Sequence, residues 1–590
     1  MKLLDHYEVL VNNLNEYQKA TQITTPEIAS MLSCSERNAK LIIGRLQEDG
    51  WIEWKAGRGR GNYSSITLVA ELETLVLENA KKLASSHSID EAIKFTKKYY
   101  LSDSFRQEWR DWLFYTLVND NGDRKTGDRD RLLFPSYRPL PVLDPLFVNR
   151  RSENHVMRHV FSQLVTYDER SDMHVPQLAH DWSFNDSYTE WTFHLRKGVL
   201  FHDGQEMKGE DVCYSFHRHF SEFSAYHWLV RHIASNKAEN KYKVVFTFNQ
   251  SVRYFLHIAS SLGASVIPKN SNGSIKKLPI GTGPFQVKEN TEDKLVLTVF
   301  QQYFGIRPFL DEVSMYFFPQ LYDNKKDVRI PENERINFYH YPYNKKMTGN
   351  FDQHTAVDRG SKLLTLNLRQ GMLAQDRLLR KAIFHLLQST KLMNELGGNR
   401  FASASRMLVE SEDNVVVHDE KIAKSALEQS NYKGETLTLF SYSGAGNELD
   451  ANWIQRQLTD VGIVVSINIL PYEELQAVSL TDRADMLLGE QLTYESELYT
   501  YLVSFVGNHS LMANHLSKKM TEKVFSYTGS GGAENKLLQS FREIETDIVH
   551  EFGHIHLYRL KQFAIYPTYV KNIHINALGW VNYTKLWYRG

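Results

Sequence analysis

Cysteine is nearly missing: the 590 residues include two, Cys34 and Cys213. A disulfide framework is thereby excluded, and so is any zinc or redox site built on a Cys-x-x-Cys pair. A charge excess of either sign is also missing, with 69 Lys and Arg against 70 Asp and Glu. That excludes a histone-like tail or an acidic solvating chain, so a nucleic-acid site has to be a local patch. No run of about 18 apolar residues occurs, which argues against a membrane-spanning helix. The opening Met-Lys-Leu-Leu-Asp-His-Tyr-Glu has no basic stretch followed by an uninterrupted apolar one. A secretory signal is therefore not expected, and a soluble cytoplasmic protein with no membrane partner is. Internal repeats and low-complexity tracts are absent too.

Apolar residues make up 42% of the chain and aromatics 12%, enough to bury a large core. The length fits about four folding units. Residues 1–70 are dense in short helical patterns and end in a Gly/Arg hairpin. Residues 71–119 form a helical arm with apolar Leu72, Leu75, Val76, Leu83, Ile89, Ile93, Trp109, Trp112 and Leu113. A polar stretch with two glycines, Asn119 to Asp130, reads as a linker or exposed loop, and the linker is placed at 120–136. Beyond it strands and helices alternate irregularly, as in mixed α/β lobes.

The first helix is amphipathic through Leu3, Leu4, Tyr7, Leu10, Val11 and Leu14. Thr25-Pro26-Glu27 reads as a helix start with Thr25 as cap. Ile28, Ala29 and Leu32 face inward. Ser35 caps the next helix, from Glu36 to about Asp49. Its stripe Ala39, Ile42, Ile43 and Leu46 is buried, and the opposite face holds Arg37, Lys40, Leu41 and Gly44, flanked by Asn38 and Arg45. Two strands follow, Trp51–Lys55 and Tyr63–Leu68, joined by Ala56-Gly-Arg-Gly-Arg-Gly-Asn62.

Helix, short turn, basic helix and Arg-tipped hairpin make the winged helix-turn-helix pattern. Arg37, Asn38 and Lys40 can reach base edges or phosphates in a major groove, with Ser35 and Arg45 alongside. Gly44 lets the backbone come close. Arg58 and Arg60 sit on a glycine loop that can lie against the DNA backbone or minor groove. From Arg37 to Arg60 there are six bases and three acids, a local excess in a neutral chain. Double-stranded DNA is the expected partner. A small protein-binding helical module is the bland alternative.

Further on, Pro176-x-Leu-Ala-x-x-Trp182 leads to a strand with alternating Trp191, Phe193 and Leu195. Leu200-Phe-His-Asp-Gly-Gln205 reads as a second strand with an Asp-Gly turn. Glu210-Asp-Val-x-x-Ser215 starts a helix. Pro279-Ile-Gly-Thr-Gly-Pro-Phe285, Leu364–Leu368 followed by Asp376–Ala382, and Asn452–Val461 followed by Gly462-Ile-Val-Val come in order after it. This ordered set over residues 137–590 resembles family 5 extracellular solute-binding proteins, the oligopeptide, dipeptide and nickel binders of ABC importers. A winged helix fused ahead of such a domain resembles the SgrR-like transcriptional regulators, which are cytoplasmic and associated with control of sugar uptake and sugar-phosphate stress.

The resemblance implies an α/β chain: a winged helix-turn-helix over 1–70, then a two-lobed periplasmic-binding-protein-like domain (class II, family 5) over 137–590. It implies a ligand sensor rather than an enzyme, needing no cofactor and no metal. The expected ligand is small, sugar-related or peptide-like, held by hinge closure. Asn367, Arg369 and Glu490 are its candidate polar contacts. Peptide binders of this family run Gly-Trp-x-x-Asp-Tyr-x-Asp where this chain has Gly489-Glu-Gln-Leu-Thr-Tyr494-Glu. The acid for a peptide amino group falls on Thr493, which favours a non-peptide ligand. A transport component is the rival reading; a cleavable signal with a lipobox cysteine would mark it. The enzyme rival is a zinc hydrolase through His550-Glu551-x-x-His554, against which stand Gly553 and the lack of any later acid.

Overall fold

The N-terminal helices form where apolar residues return every three or four positions. The computed structural model describes residues 2–57, 63–86, 89–119, 130–136, 138–147, 150–221, 223–271, 276–317, 351–409, 418–444, 446–477, 483–508 and 510–589. By internal contacts it divides into two units, Met1–Thr116 and Leu117–Gly590.

The first unit opens with α1 (Lys2–Leu14), β1 (Thr21–Gln22), α2 (Thr25–Met31), α3 (Glu36–Glu48), β2 (Ile52–Lys55) and β3 (Ser65–Leu68). The short β1 has no sequence signature, yet it completes a three-stranded sheet of order β1-β3-β2. Leu4, Tyr7, Leu10, Ile28, Ala29, Leu32, Ala39, Ile42, Ile43 and Leu46 are all buried, each large aliphatic contributing roughly 1.5–3 kcal/mol. The cap of α2 is Thr24, not Thr25. The Glu27 amide donates to the Thr24 hydroxyl at 3.4 Å, and the Thr24 amide donates to the Glu27 carboxylate at 2.7 Å. Only the three-residue spacing from Thr24 closes this reciprocal box.

The arm consists of α4 (Leu72–Ser86), α5 (Ile89–Thr96) and α6 (Asp103–Asn119). The Tyr99 hydroxyl donates to Asp5 at 2.8 Å, tying the arm to α1. Ser102 donates its amide and hydroxyl to Glu73, tying α6 to α4. Trp109 and Leu113 are buried, and the Trp109 and Trp112 rings stack 5.4 Å apart.

In the second unit, β4 (Arg131–Ser136) is a strand where the composition placed linker. It pairs in parallel with β13 (Glu312–Phe317), and six paired residues give its apolar Leu132 and Phe134 a core to enter. Between them lie α7 (Arg151–Val160), β5 (Val165–Asp168), β6 (Met173–Pro176), β7 (Ala179–Phe184), β8 (Glu190–Leu195), α8 (Gly209–His217), β9 (Ile233–Asn240), β10 (Lys243–Phe248), β11 (Phe285–Asn290) and β12 (Lys294–Val299). They build sheets β7-β8-β10-β9, β11-β12-β13-β4 and the hairpin β5-β6, a first lobe.

The second lobe is a mixed sheet of order β14-β20-β15-β19-β17-β18, with β16 paired to β20. Its strands are β14 (Phe351–Val357), β15 (Lys362–Leu366), β16 (Arg400–Ser403), β17 (Leu437–Tyr442), β18 (Val465–Leu470), β19 (Met486–Glu490) and β20 (His554–Pro567). The buried run Leu363–Leu366 of β15 lies between β19 and β20, covered on both faces. The helix Asn447–Thr459 joins the parallel strands β17 and β18.

Two sequence motifs acquire a physical reason here. A Cβ on Gly281 would meet the Val160 carbonyl oxygen at 2.2 Å, and one on Gly283 would lie 2.5–2.6 Å from the backbone of His159 and Val160. The turn needs glycine because it abuts the end of α7. The segment from Leu200 to Gln205 is not a strand; only one bridge, Leu200 to Glu206, forms. Gly204 takes a φ of +84°, and His202 accepts from the Gly281 amide at 3.2 Å and donates to the Gly283 carbonyl at 3.0 Å. His202 thus staples one turn to the other, which a strand could not do.

Candidate functional site

The outer face of α3 is the first candidate. Ser35 is committed to the helix end, its hydroxyl accepting from the Asn38 amide at 3.3 Å. Arg37, Asn38, Lys40 and Arg45 are exposed. Among the described residues no acid forms an ion pair with Arg37, Lys40 or Arg45. The face therefore presents uncompensated cations on a rigid helix. Arg58 and Arg60 lie outside the described residues.

The second candidate is a cavity of about 520 Å³ lined from both lobes. Arg158 and His159 at the end of α7 reach it, as do Tyr167, Glu169 and Arg170 of the β5-β6 hairpin, and Tyr494, Glu495 and Ser496 from beyond β19. Tyr303 and Tyr499 add further aromatic faces. Arg158 of the first lobe is hydrogen-bonded to Glu495 of the second. Arg359 of the second lobe donates to Glu169 of the first at 2.7 Å and to the Glu495 carbonyl at 3.4 Å. Burial works against the Glu495 charge, but Arg158 more than offsets it and holds the carboxyl below its usual value. Glu169 is pushed up by burial and by the neighbouring Glu495 charge. Burial lowers His159 to about 4, so its ring is neutral at ordinary pH. It donates from Nδ1 to the His155 carbonyl and accepts at Nε2 from the Tyr583 amide.

Beside the cavity, a charge network spans the lobes. Arg151 of α7 donates to Asp358 at 2.7 Å and to Glu490 at 3.3 Å. Lys362, fully buried, lies 3.9 Å from Glu490 and 3.8 Å from Asp450, and is hydrogen-bonded to Asn447. Asp450 accepts from Arg400 at 2.7 and 3.0 Å and from the Tyr558 hydroxyl at 2.5 Å. Three cations thus face three acids, a charge-balanced group.

The three residues expected to touch a ligand have other partners. Glu490 belongs to the network. Asn367 is buried; its amide donates to the Ala484 carbonyl at 3.0 Å and accepts from the Arg369 amide at 2.9 Å, tying the crossover. Arg369 donates to the Leu516 carbonyl at 3.3 Å. None of the three lines the cavity. Arg158, Glu169, Arg359 and Glu495 were not singled out in the sequence, because no local pattern shows that residues 136 to 337 positions apart will meet. Thr493 is buried, 3.4 Å from the Ala577 carbonyl, and Tyr494 and Glu495, next in the departed motif, are the ones that face the cavity.

The zinc-site reading is corrected by local structure. The helix Glu534–His550 ends at His550, Phe552 takes a φ of +55°, and His554 begins β20. Gly553 is closely packed: a Cβ there would lie 2.5 Å from the Leu368 side chain and 3.1 Å from that of Ile548, which would have to shift. The two histidines therefore share no helix face, and Glu551 pairs with Arg377 and Arg380. Among the described residues, no three His, Cys, Asp or Glu are grouped to hold a metal ion. None of their helices is long and apolar enough to cross a membrane.

Comparison with known proteins places these features. Residues 174–510 match the family model described as bacterial extracellular solute-binding proteins, family 5 middle. Residues 2–112 match the N-terminal model of the sugar transport-related sRNA regulator. The uncharacterized protein YhjP of Bacillus subtilis is 29% identical over 602 residues and the whole of both chains. The HTH-type transcriptional regulator SgrR of Yersinia enterocolitica is 23% identical, covering 96% of this chain and 95% of its own. Among solved structures, a Pseudoalteromonas dipeptide-binding protein in complex with Met-Leu aligns with a TM-score of 0.65, at 15% identity, over 78% of this chain and all of its own. NikA of Brucella suis in complex with Fe(III)-EDTA aligns at 0.62, with 18% identity, over 78% of this chain and all of its own. With more than half its length matched by that model, and a regulator module ahead of it, the chain belongs to the family 5 bacterial solute-binding proteins in the SgrR-like regulator architecture.

Proposed function

We propose that this protein is a cytoplasmic DNA-binding transcriptional regulator whose two-lobed domain senses a small solute by hinge closure. The observation that carries the reading is the pairing, in one chain, of an uncompensated cationic helix face with a cavity walled by both lobes. Arg37, Asn38, Lys40 and Arg45, with Arg58 and Arg60, are the DNA contacts in this reading. The solute is a sugar, sugar phosphate or related compound. Tyr167, Tyr303, Tyr494 and Tyr499 offer flat faces, and Arg158, Glu495 and Arg170 offer polar contacts. Solute bridging the lobes stabilises the closed form, and DNA affinity changes only as far as the two forms differ in it.

A thermal-shift panel of sugars, sugar phosphates and short peptides identifies the solute; 100-fold excess over Kd stabilises by about 2.7 kcal/mol. DNA titration of the full chain is then run with and without saturating solute. The expected coupling is about 5–150-fold in affinity. Equal affinity in both arms refutes the sensor. A folded Trp109→Ala, Trp112→Ala variant that keeps full coupling removes the arm from the route.

A further inference from the structure

Two residues on the outer face of α3 are unexplained by the fold. Leu41 is 60% exposed although a polar residue there would disturb no packing. Gly44 lies in the middle of the helix, where glycine is among the least favourable residues. A Cβ on Gly44 would meet nothing within 4 Å, and its φ is not positive, so neither space nor backbone conformation demands glycine. The two stand three apart, on one stripe with Arg37 four before Leu41. Asn38, Lys40 and Arg45 flank them. An apolar methyl-bearing side chain beside a missing side chain, surrounded by cations, is complementary to a surface that is anionic at its edges and carries a methyl group at its floor. The major groove over an A·T pair has that chemistry, with phosphates on the rim and the thymine C5-methyl projecting.

We propose that Leu41 packs on a thymine methyl in the bound duplex, and that Gly44 lets α3 lie deep enough for this contact. The inference rests on the DNA-binding reading. It makes Leu41 and Gly44 determinants of sequence preference, while Arg37, Lys40 and Arg45 supply attraction to phosphates or guanine. Glu48, on the same stripe one turn beyond Gly44, would repel phosphate, so the first three turns meet the groove.

The test uses the full-length protein and duplexes selected by it from a randomised pool. The selected duplex is rebuilt with uracil replacing each thymine in turn, which removes one methyl and no hydrogen bond. Wild type is expected to lose about fourfold in affinity at one or two positions, the worth of one buried methyl-sized group. Leu41→Ala should bind more weakly and show no further loss with uracil. Gly44→Ala should lose on the order of tenfold in affinity while its melting temperature holds or rises, because alanine is the better helix former. Equal uracil penalties in wild type and Leu41→Ala overturn the thymine contact. A Gly44→Ala protein that binds like wild type overturns the close approach. If wild type enriches no duplex, the DNA-binding reading itself fails, a result distinct from both.

Discussion

At the residue scale, the consequences of burial are sharpest for histidine. His515, His554 and His556 cluster inside the second lobe, and neither ring nitrogen of His554 has a hydrogen-bond partner. Burial lowers His515 and His554 to about 3. Both stay neutral in the folded protein, whereas in the unfolded chain they take up a proton near pH 6.5. The unfolded state therefore binds more protons below that pH, and stability is lost as pH falls from about 6.5 toward 3. Each such histidine should cost about 2 kcal/mol between pH 7.5 and 5. Urea midpoints measured at both values should show the loss, and His554→Leu should reduce it; an unchanged difference would refute the assignment. Asp450 gives a second prediction. Removing it leaves the Arg400 guanidinium and the Tyr558 hydroxyl buried without their carboxylate acceptor and takes one of two neighbouring acids from Lys362, so Asp450→Ala should destabilise by about 3–5 kcal/mol in denaturant melts, and Asp450→Asn by less. None of this was legible in the sequence, where Lys362 and Asp450 are 88 positions apart.

At the element scale, the helix ends were largely legible because capping is local. Ser35 was readable as a cap, and Thr24 could have been found from Glu27 three residues on. Ser35→Ala should lower the stability of the first unit by about 1 kcal/mol, read by its thermal transition. Because the hydroxyl is bound to the Asn38 amide, the variant should keep its DNA sequence preference once folded. The turn from Gly281 to Pro284 fixes where α7 ends. Gly283→Ala should cost about 1–3 kcal/mol or more by overpacking and weaken solute binding, since α7 carries Arg158. Wild-type solute affinity in a folded Gly283→Ala protein would separate that turn from the site.

At the scale of the whole molecule, the second unit has ion pairs across its lobes. Arg158 with Glu495, Arg359 with Glu169 and Arg151 with Asp358 all join the first lobe to the second. An Arg158→Ala, Arg359→Ala double variant should sample more open forms, seen as a larger radius of gyration in solute-free X-ray scattering. No change in scattering would show that other contacts hold the lobes.

Periodicity and turn chemistry act over a few residues, so the amino-acid sequence by itself determined the helices of the first unit, the buried stripe of α3 and the α/β character of the rest. It determined the charged face as well, since what lies opposite a buried stripe has to face outward. Tertiary structure decided what long-range packing controls. It turned the end of the linker into β4, made the Leu200–Gln205 segment a stapled turn, and split His550 from His554 between helix and strand. It also gave Asn367 to the crossover and Glu490 to the charge network, and brought Arg158 to Glu495. The physical reason is one and the same: a polar side chain taken out of water must find a partner, and which partner it finds depends on chain segments that no local pattern brings together.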